Sequence, residues 1–173
     1  MCACFIDVTR SVGMYLDASV GPLCYNSDKV LSTVLDQQNL QGFATIILRL
    51  AVKSGAIKSQ EQLMLNYQWL EHIAKYSSQA FTNLAFAKVY LEEVNEALGH
   101  NSYLTGQELT VADIATYYVL YEIMDRLSMI EKESLIHLCR WFKHIQSQPK
   151  VCRFKAPLLL NSITLSVLAP VVH

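Results

Sequence analysis

The sequence predicts an α+β fold that is mostly helical, in which a small mixed head precedes an all-helical body. Three observations favour this fold class. From Gln41 onward, the apolar residues follow the period of about 3.6 that is typical of helices. Two capping motifs occur in the same region, and the short β-prone runs are confined to the part before it. A chain of 173 residues has room for one domain, or for two small ones that share a core.

The first 40 residues are the least regular part of the sequence. Gly13, Gly21 and Pro22 interrupt them, and the run Lys29–Leu35 is rich in β-branched and apolar side chains. We expect at most two or three short strands in this head.

Three helices are expected after the head, over residues 42–54, 59–76 and 80–98. Gly55 follows the first helix and Gly99 the third, at positions where a left-handed residue commonly ends a helix. Ser59 and Gln62 have the spacing of a capping box, which places the start of the second helix.

The fourth helix carries the clearest start signal, in the stretch Tyr103–Asp113. Thr110 can cap the Asp113 N–H, while the Asp113 carboxylate can reach back to the Thr110 N–H. Leu109 and Ile114 stand at the two positions of a hydrophobic staple, which fixes how the chain enters the helix. The helix is apolar nearly all round, so we expect it to be central and buried. Asp113 is accordingly interpreted as a structural residue.

A fifth, amphipathic helix is expected over residues 134–147, and Pro149 ends it. One face is apolar and packs on the core, and the opposite face is polar. The apolar positions are Leu135, Leu138, Phe142 and Ile145, and the polar positions are His137, Arg140, His144 and Ser147. The sequence makes no prediction for the form of the tail after Phe154.

Composition narrows the possible functions. Apolar residues make up 52% of the chain and charged residues only 17%, so the surface is expected to meet a partner. The net charge is −1 and the pI is about 6.5, which gives the whole chain no electrostatic basis for binding nucleic acid. A basic run across residues 134–173, without Asp or Glu, either contacts tRNA phosphates or forms a solvated helix face. Its members are Arg140, Lys143, Lys150, Arg153 and Lys155.

No metal site is expected. Cys2 and Cys4 form a C-x-C pair at the terminus without the further ligands that structural zinc needs. His137, Cys139 and His144 lie on one predicted helix, but two turns separate the histidines and the cysteine points elsewhere.

The cysteines and the apolar segments favour a cytoplasmic protein. The five cysteines include no CxxC pair, which suggests free thiols in a reducing compartment. The start of the chain lacks the basic and apolar regions of a signal peptide. The apolar stretch 156–172 contains polar residues and two prolines, so we do not expect it to span a membrane.

The helix order, the stretch Tyr103–Ile114 and the run Arg140–Pro149 together resemble the glutathione-transferase (GST) superfamily. Within it, the run Arg140–Pro149 resembles the elongation factor 1 epsilon family, small scaffold proteins of the aminoacyl-tRNA synthetase complex. The match covers roughly residues 29–153. The resemblance implies a truncated thioredoxin-like head over residues 1–56 and a GST C-terminal helical domain over residues 57–155, followed by an apolar tail over residues 156–173.

Transferase chemistry needs features that this sequence lacks. Enzymes of the superfamily use a Tyr, Ser or Cys after the first strand, a cis proline, and a Ser at a helix N-terminus, where free N–H groups bind a carboxylate of glutathione. Here Gln41 is followed by Gly42, no proline stands close before them, and the head is some 20 residues too short. We therefore expect no enzyme activity and no cofactor. In the alternative, a transferase-type enzyme, the candidate activators are Cys4, Ser11 and Tyr15.

The resemblance implies a scaffold that binds GST-like domains of synthetases in support of translation. Methionyl-tRNA synthetase would meet the truncated head, and glutamyl-prolyl-tRNA synthetase would meet the helix that bears Arg140. Arginine suits such an interface, because its planar guanidinium stacks on other groups and bridges a carboxylate with two hydrogen bonds. His144 follows one turn later, with Lys143 and His137 beside them. Delivery of initiator tRNA and a nuclear damage response are further implications of the resemblance.

Overall fold

The computed structural model describes residues 5–152 and 155–160. Within these ranges the chain forms a mostly helical α+β fold, as the sequence predicts. Cys2, Cys4, Arg153 and the tail beyond Leu160 lie outside the described residues. The elements in chain order are α1 (Phe5–Tyr15), β1 (Leu23–Tyr25), β2 (Leu31–Leu35), β3 (Gln38–Gln41), α2 (Phe43–Lys53), α3 (Gln60–Thr82), α4 (Leu84–Ala97), α5 (Val111–Arg126), α6 (Met129–Ser134) and α7 (Ile136–Gln146).

The head contains a three-stranded antiparallel sheet in the order β1-β2-β3, which confirms the expected strands. β2 is the buried strand, and it lies against α2. Asp36 and Gln37 form the two-residue turn between β2 and β3, with φ of 51° and 64°. Positive φ at both positions matches the right-handed twist of the paired strands.

Helix α1 is an element that the sequence does not predict. Val8 and Val12 on its buried face pack against α5 and α2. At Gly13 the returning chain comes so close that a Cβ would stand 2.1 Å from Val20 Cγ2. Several β-branched residues and this glycine lower the helix propensity of the segment, so tertiary packing decides its structure.

The boundary between the second and third predicted helices is wrong. The second was expected to end near Tyr76 and the third to begin near Ala80, but α3 continues to Thr82 and α4 begins at Leu84. Asn83 causes the break: its backbone is extended, and its side chain accepts the Phe86 N–H at 3.1 Å. An asparagine at this position satisfies one of the free N–H groups of a helix start.

The start of α3 follows the prediction with one difference. Ser59 Oγ accepts the Gln62 N–H at 3.1 Å, as expected for an N-cap. The Gln62 side chain accepts the N–H of Lys58 at 2.9 Å instead of that of Ser59. The reciprocal half of the capping box is thus displaced by one residue, without loss of the helix start.

Helix α6 is a short element that the expected five-helix body does not include. Its start is a capping box: Ser128 Oγ accepts the Glu131 N–H at 3.3 Å, and Glu131 Oε2 accepts the Ser128 N–H at 3.0 Å. Glu131 also pairs with Lys88 of α4 at 2.9 Å. These contacts lower the pKa of Glu131 to about 2, with the hydrogen bond to Lys88 as the largest cause.

Helix α5 is the centre of the body, as predicted. Every residue from Val111 to Leu120 is buried, and the helix packs against α3, α1, α7 and α2. The rule that a helix apolar on all sides belongs in the interior therefore applies here. Leu109 and Ile114, the predicted staple residues, both pack into the core.

The Asp113 carboxylate is fully buried at the start of α5 and accepts four hydrogen bonds. Its Oδ1 accepts the Leu104 N–H and the Trp141 indole N–H, each at 2.9 Å. Its Oδ2 accepts the Thr110 N–H at 3.0 Å and the Thr110 hydroxyl at 2.9 Å. Burial raises the pKa of the carboxyl, and these hydrogen bonds act in the opposite direction.

A second residue caps α5 from a different helix. Asn66 of α3 is fully buried, and its Oδ1 accepts the Ala112 N–H at 2.9 Å. Its amide donates to Gln62 O at 2.7 Å, so the side chain is satisfied in both directions. The start of α5 thus joins α3, α7 and the loop before α5 in one hydrogen-bonded cluster, which we call the Asp113 cluster.

The described part of the tail attaches to the body. The Tyr121 hydroxyl donates to Ala156 O at 2.6 Å, and the Gln146 amide makes two hydrogen bonds with the Leu158 backbone, at 3.1 and 3.0 Å. Leu158 and Leu160 are buried. In the described ranges, no helix has the length and apolar character needed to cross a membrane.

We expect Asp113→Asn to lower the free energy of unfolding by about 2 kcal/mol, because the amide can replace only one of the two oxygens and the Thr110 N–H then lacks an acceptor. Asp113→Ala should cost more, since it removes both oxygens. Urea denaturation measures both changes. Glu108→Gln, a similar change at an exposed position nearby, is the control and should be neutral; equal stability of Asp113→Asn and wild type would contradict the assignment.

The lowered pKa of Glu131 predicts a pH dependence. Its ionised form is favoured in the folded state, so its contribution to stability is present above its ordinary value of 4.5 and is lost as the pH falls towards about 2. The stability difference between wild type and Glu131→Gln should therefore shrink over that window. Thermal unfolding across the pH range measures it, and a difference independent of pH would show that the contacts are ineffective in solution.

Candidate partner-binding surface on the last helix

The predicted partner-binding residues lie on the outer side of α7. Arg140, Lys143 and His144 are exposed and His137 is partly exposed. The opposite side of the helix is buried in the core, and it consists of Leu138, Trp141, Phe142 and Ile145. The amphipathic pattern thus places the polar residues where a partner can reach them.

The start of α7 is capped from α4. Leu135, at the N-cap position, makes no side-chain hydrogen bond to the helix. Asn95 of α4 takes over this role, because its Oδ1 accepts the N–H groups of His137 and Leu138, each at 3.0 Å. An acceptor from another helix thus satisfies the free donors of the first turn.

Arg140 of α7 in turn binds backbone carbonyl groups at the end of α4. Its Nη2 donates to Leu98 O at 2.7 Å and to Asn101 O at 2.9 Å. A cation at these carbonyls also suits the negative end of the helix dipole. Arg140 therefore has a structural role that the sequence does not reveal. Both bonds use one nitrogen, so the three remaining N–H donors of the guanidinium are those that could serve a partner.

A depression of about 430 Å³ lies beside Arg140, between α7 and the loop that follows α4. On its floor, the Trp141 indole is fixed by Asp113. His144 Nε2 and the Tyr103 hydroxyl are 2.8 Å apart, which ties the loop to the helix. The residues that line it are Ser102, Tyr103, Gln107, Arg140, Trp141 and His144. Helix and loop therefore form one continuous surface, which we call the Arg140 surface.

Two of the predicted residues stand outside this depression. His137 lies near the end of α4: a Cβ on Gly99 would stand 3.8 Å from its imidazole ring. Lys143 is exposed on α7 but does not line the depression. The structure thus brings Arg140 and His144 together, and Tyr103, Gln107 and Trp141 join them from positions that the sequence analysis does not select.

Most of the described residues of the basic run contact other groups of the same molecule. Lys150 forms an ion pair with Asp17 and donates to Tyr15 O at 3.4 Å, and Lys155 lies over the Tyr121 ring at 4.8 Å. Arg140 is bound to carbonyl groups, as described above. Three of the four described members of the run therefore make contacts with other parts of the molecule.

A second exposed surface lies on the head side of the molecule, on β3, α2 and α3. Val52, Met64 and Tyr67 are apolar or aromatic side chains that are 49%, 57% and 46% exposed. A depression of about 310 Å³ beside them is lined by Gln38, Leu40, Thr45, Leu48, Arg49, Val52 and Tyr67. Asp36 pairs with Lys53 at 2.6 Å nearby. An apolar centre with charged residues around it is typical of a protein interface.

The start of α2 is the position that the resemblance to transferases associates with the carboxylate of glutathione. The Gly42 N–H donates to Leu31 O at 2.8 Å, and Gly42 has φ of 92° and no side chain to cap α2. Phe43, the first residue of α2, is buried with its ring 4.6 Å from that of Phe5. The start of α2 is thus engaged in packing and strand pairing.

The candidate activators also lack the expected setting. Tyr15 is the last residue of α1, whereas the activating residue of the superfamily follows a strand, and burial raises the pKa of its hydroxyl. Ser11 is partly buried on α1. Cys4 lies outside the described residues.

The described residues contain no group of three or more His, Cys, Asp or Glu side chains placed to hold a metal ion. Cys139 is buried, with its thiol 3.4 Å from Lys132 O, and burial raises its pKa. His144 is engaged with Tyr103 on the other side of α7.

Comparison with known proteins gives three kinds of relative. The family model described as "Nuclear-export cofactor Arc1p" matches residues 62–149. Eukaryotic translation elongation factor 1 epsilon-1 from Cricetulus griseus is 34% identical over 121 residues, which cover 65% of this chain and 67% of that protein. The protein of the same name from Homo sapiens is 30% identical over 118 residues, which cover 65% and 67%. The bifunctional glutamate/proline–tRNA ligase of Cricetulus griseus is 25% identical over 103 residues, which cover 59% of this chain and 7% of the ligase.

Solved structures of glutathione transferases share the fold. The bacterial enzyme BphK superposes with a TM-score of 0.67 at 14% identity, covering 87% of this chain and 93% of the enzyme. A family member from Pseudomonas fluorescens gives a TM-score of 0.68 at 16% identity, covering 88% and 89%. At such low identity the likeness concerns the fold alone.

The sequence relatives decide the family. The chain spans about two thirds of the length of the elongation factor 1 epsilon-1 proteins that it matches. The Arc1p model covers the helices from α3 to α7, which carry the Asp113 cluster and the Arg140 surface. On this evidence the chain belongs to the elongation factor 1 epsilon-1 family, with a GST-like fold.

Proposed function

We propose that this chain is a non-catalytic scaffold subunit of the multi-aminoacyl-tRNA synthetase complex, in which it binds GST-like domains of methionyl- and glutamyl-prolyl-tRNA synthetase. Family membership supports a role associated with translation. The similarity to a segment of a glutamate/proline–tRNA ligase supports a shared type of domain, and domains of one type commonly pair with each other.

The observation that carries the proposal is the Arg140 surface. Arg140 and His144 are exposed, yet their geometry is fixed by contacts to the loop after α4. A side chain that is already ordered loses little conformational freedom when a partner binds. This is the arrangement expected of an interface anchor, and we assign it to the glutamyl-prolyl-tRNA synthetase domain.

The apolar surface on β3, α2 and α3 supports a second interface. Val52, Met64 and Tyr67 expose apolar area next to the charged side chains of Arg49 and Asp36. We assign this surface to the methionyl-tRNA synthetase domain. A stable contact of this kind buries roughly 1,200–2,000 Å² in total. Because the two surfaces use different elements, one molecule can hold both partners at the same time.

Enzyme activity is not part of the proposal. The solved neighbours include glutathione transferases, but here Gly42 stands at the N-cap of α2 without a hydroxyl, and the Phe43 ring packs on that of Phe5. The Tyr15 pKa is raised by burial, which disfavours the ionised hydroxyl. The geometry therefore supports binding by surface contact and not thiol chemistry.

Direct tRNA binding is the other alternative, and the charge distribution argues against it. Lys150 and Lys155 are engaged with Asp17 and the Tyr121 ring, which leaves few cations for phosphate contacts. In the proposal, any link to initiator tRNA is indirect and runs through the bound synthetase. The cytoplasm is the compartment that this role requires, and a nuclear role is a further part of the proposal.

Two substitutions should separate the two interfaces. Arg140→Ala should weaken binding of the glutamyl-prolyl-tRNA synthetase domain at least about tenfold, because it removes an anchor at the interface centre, and should leave the methionyl-tRNA synthetase interaction intact. Tyr67→Glu should have the opposite effect, since it places a charge on the apolar surface. Isothermal titration with each purified domain measures both.

The control for Arg140→Ala is Arg10→Ala, which removes an exposed arginine from α1 and should leave both affinities unchanged. Thermal unfolding of Arg140→Ala is measured in parallel, because this change also removes two hydrogen bonds at the end of α4. Loss of both partners in either variant would argue against separate interfaces, and retention of both in both variants would refute the surface assignments.

The protein should not be retained on glutathione resin and should not conjugate glutathione to an aryl halide. The reason is that the N-cap of α2 is Gly42, which has no hydroxyl to hold the carboxylate of glutathione. A bacterial glutathione transferase assayed alongside shows that the conditions are adequate. Turnover that rises with protein concentration and is lost in Tyr15→Phe would establish the transferase alternative.

A further inference from the structure

We propose that Asn95 is a positioning residue for the Arg140 surface: it fixes where α7 begins and thereby holds Arg140 in the geometry that a partner meets. The inference rests on the proposed function and names a further residue on which that surface depends. Asn95 itself lies on α4 and is only partly exposed, so it acts through α7.

The first turn of α7 depends on this one side chain. Asn95 Oδ1 accepts the N–H groups of both His137 and Leu138, and Leu135 supplies no cap of its own. Without the acceptor, two backbone donors in a partly buried position would have no partner. The turn could then satisfy them only by unwinding towards water, which would shift the residues that follow.

Arg140 is the residue that follows. It lies one turn beyond His137, and its Nη2 reaches Leu98 O and Asn101 O just past the point on α4 where Asn95 stands. The two helices are thus joined by reciprocal contacts, in which Asn95 binds the start of α7 and Arg140 binds the end of α4. Contacts that share two rigid elements strengthen one another, so loss of Asn95 should also loosen the carbonyl contacts of Arg140.

The substitutions that test this differ in what they keep. Asn95→Ala removes the acceptor. Asn95→Asp keeps it and adds a negative charge at a helix start, which the helix dipole favours. Glu92→Ala changes an exposed residue of the same helix one turn earlier and serves as the control. A role in general stability alone would affect both partners, whereas a positioning role affects the partner that meets Arg140.

Isothermal titration is carried out with the purified GST-like domains of glutamyl-prolyl- and methionyl-tRNA synthetase. Asn95→Ala should raise the Kd for the glutamyl-prolyl domain about fivefold, the change that corresponds to loss of one helix cap. The Kd for the methionyl domain should stay within about twofold of the wild-type value. Asn95→Asp should restore wild-type affinity. An unchanged Kd in Asn95→Ala, equal losses for both partners, or failure of Asn95→Asp to rescue would each overturn the inference.

Hydrogen exchange of the free protein separates this inference from the proposed function. The amides of His137 and Leu138 should exchange faster in Asn95→Ala than in wild type, and at the wild-type rate in Asn95→Asp. If wild-type protein bound neither domain, the proposed function would fail, and the exchange result would still decide whether Asn95 holds the first turn. Wild-type exchange rates in Asn95→Ala would overturn the inference whatever the binding result.

Discussion

The buried carboxylate of Asp113 is the interaction on which the rest of the structure depends. It has no contact with water, and a buried charge is costly unless hydrogen bonds replace its hydration. Four donors do so, from Leu104, Thr110 and Trp141. Two of these donors belong to Thr110 at the start of α5, one to Leu104 in the loop after α4, and one to Trp141 in α7. One side chain therefore joins the loop and the start of α5 to Trp141 of α7, which lies 28 residues further along the chain than Asp113.

The hydrogen bonds of Asp113 connect the capping of α5 with the candidate partner-binding surface. Trp141, which donates to Asp113, is next to Arg140 in α7, and the loop that includes Leu104 also contains Tyr103, the partner of His144. The surface that a partner would meet is thus the outer side of a cluster whose inner side is the capping of α5. A loss of binding on mutation of Asp113 would for this reason report on folding and not on recognition.

At α5 the decisive contact is local, and there the sequence predicts the helix start. Thr110 and Asp113 are three residues apart, so their capping box can be recognised from the sequence, and the helix that it starts was correctly placed. The capping side chains of Asn66 and Asn95 are 46 and 42 residues away in sequence from the N–H groups that they accept, so no local sequence pattern predicts these caps.

The misplaced boundary at Asn83 has a different origin. Its capping role was detectable in principle, but the apolar pattern on both sides of it is helical and does not show the break. The exposure of Arg140 follows from the amphipathic period. Its bonds to Leu98 O and Asn101 O do not, because they depend on how two helices meet.

Contacts at the start of α2 hold the head together. The Gly42 N–H completes strand pairing with Leu31 O, and the Phe5 ring packs on that of Phe43. The same contacts join α1, the sheet and α2, and the apolar surface around Tyr67 lies on β3, α2 and α3. Tyr67 is adjacent to Asn66, which binds the start of α5, and α5 is bound to α7 through Trp141. Hydrogen-bonded contacts thus lead from one candidate surface to the other, and in the proposed function this continuity would hold two partners in a fixed arrangement.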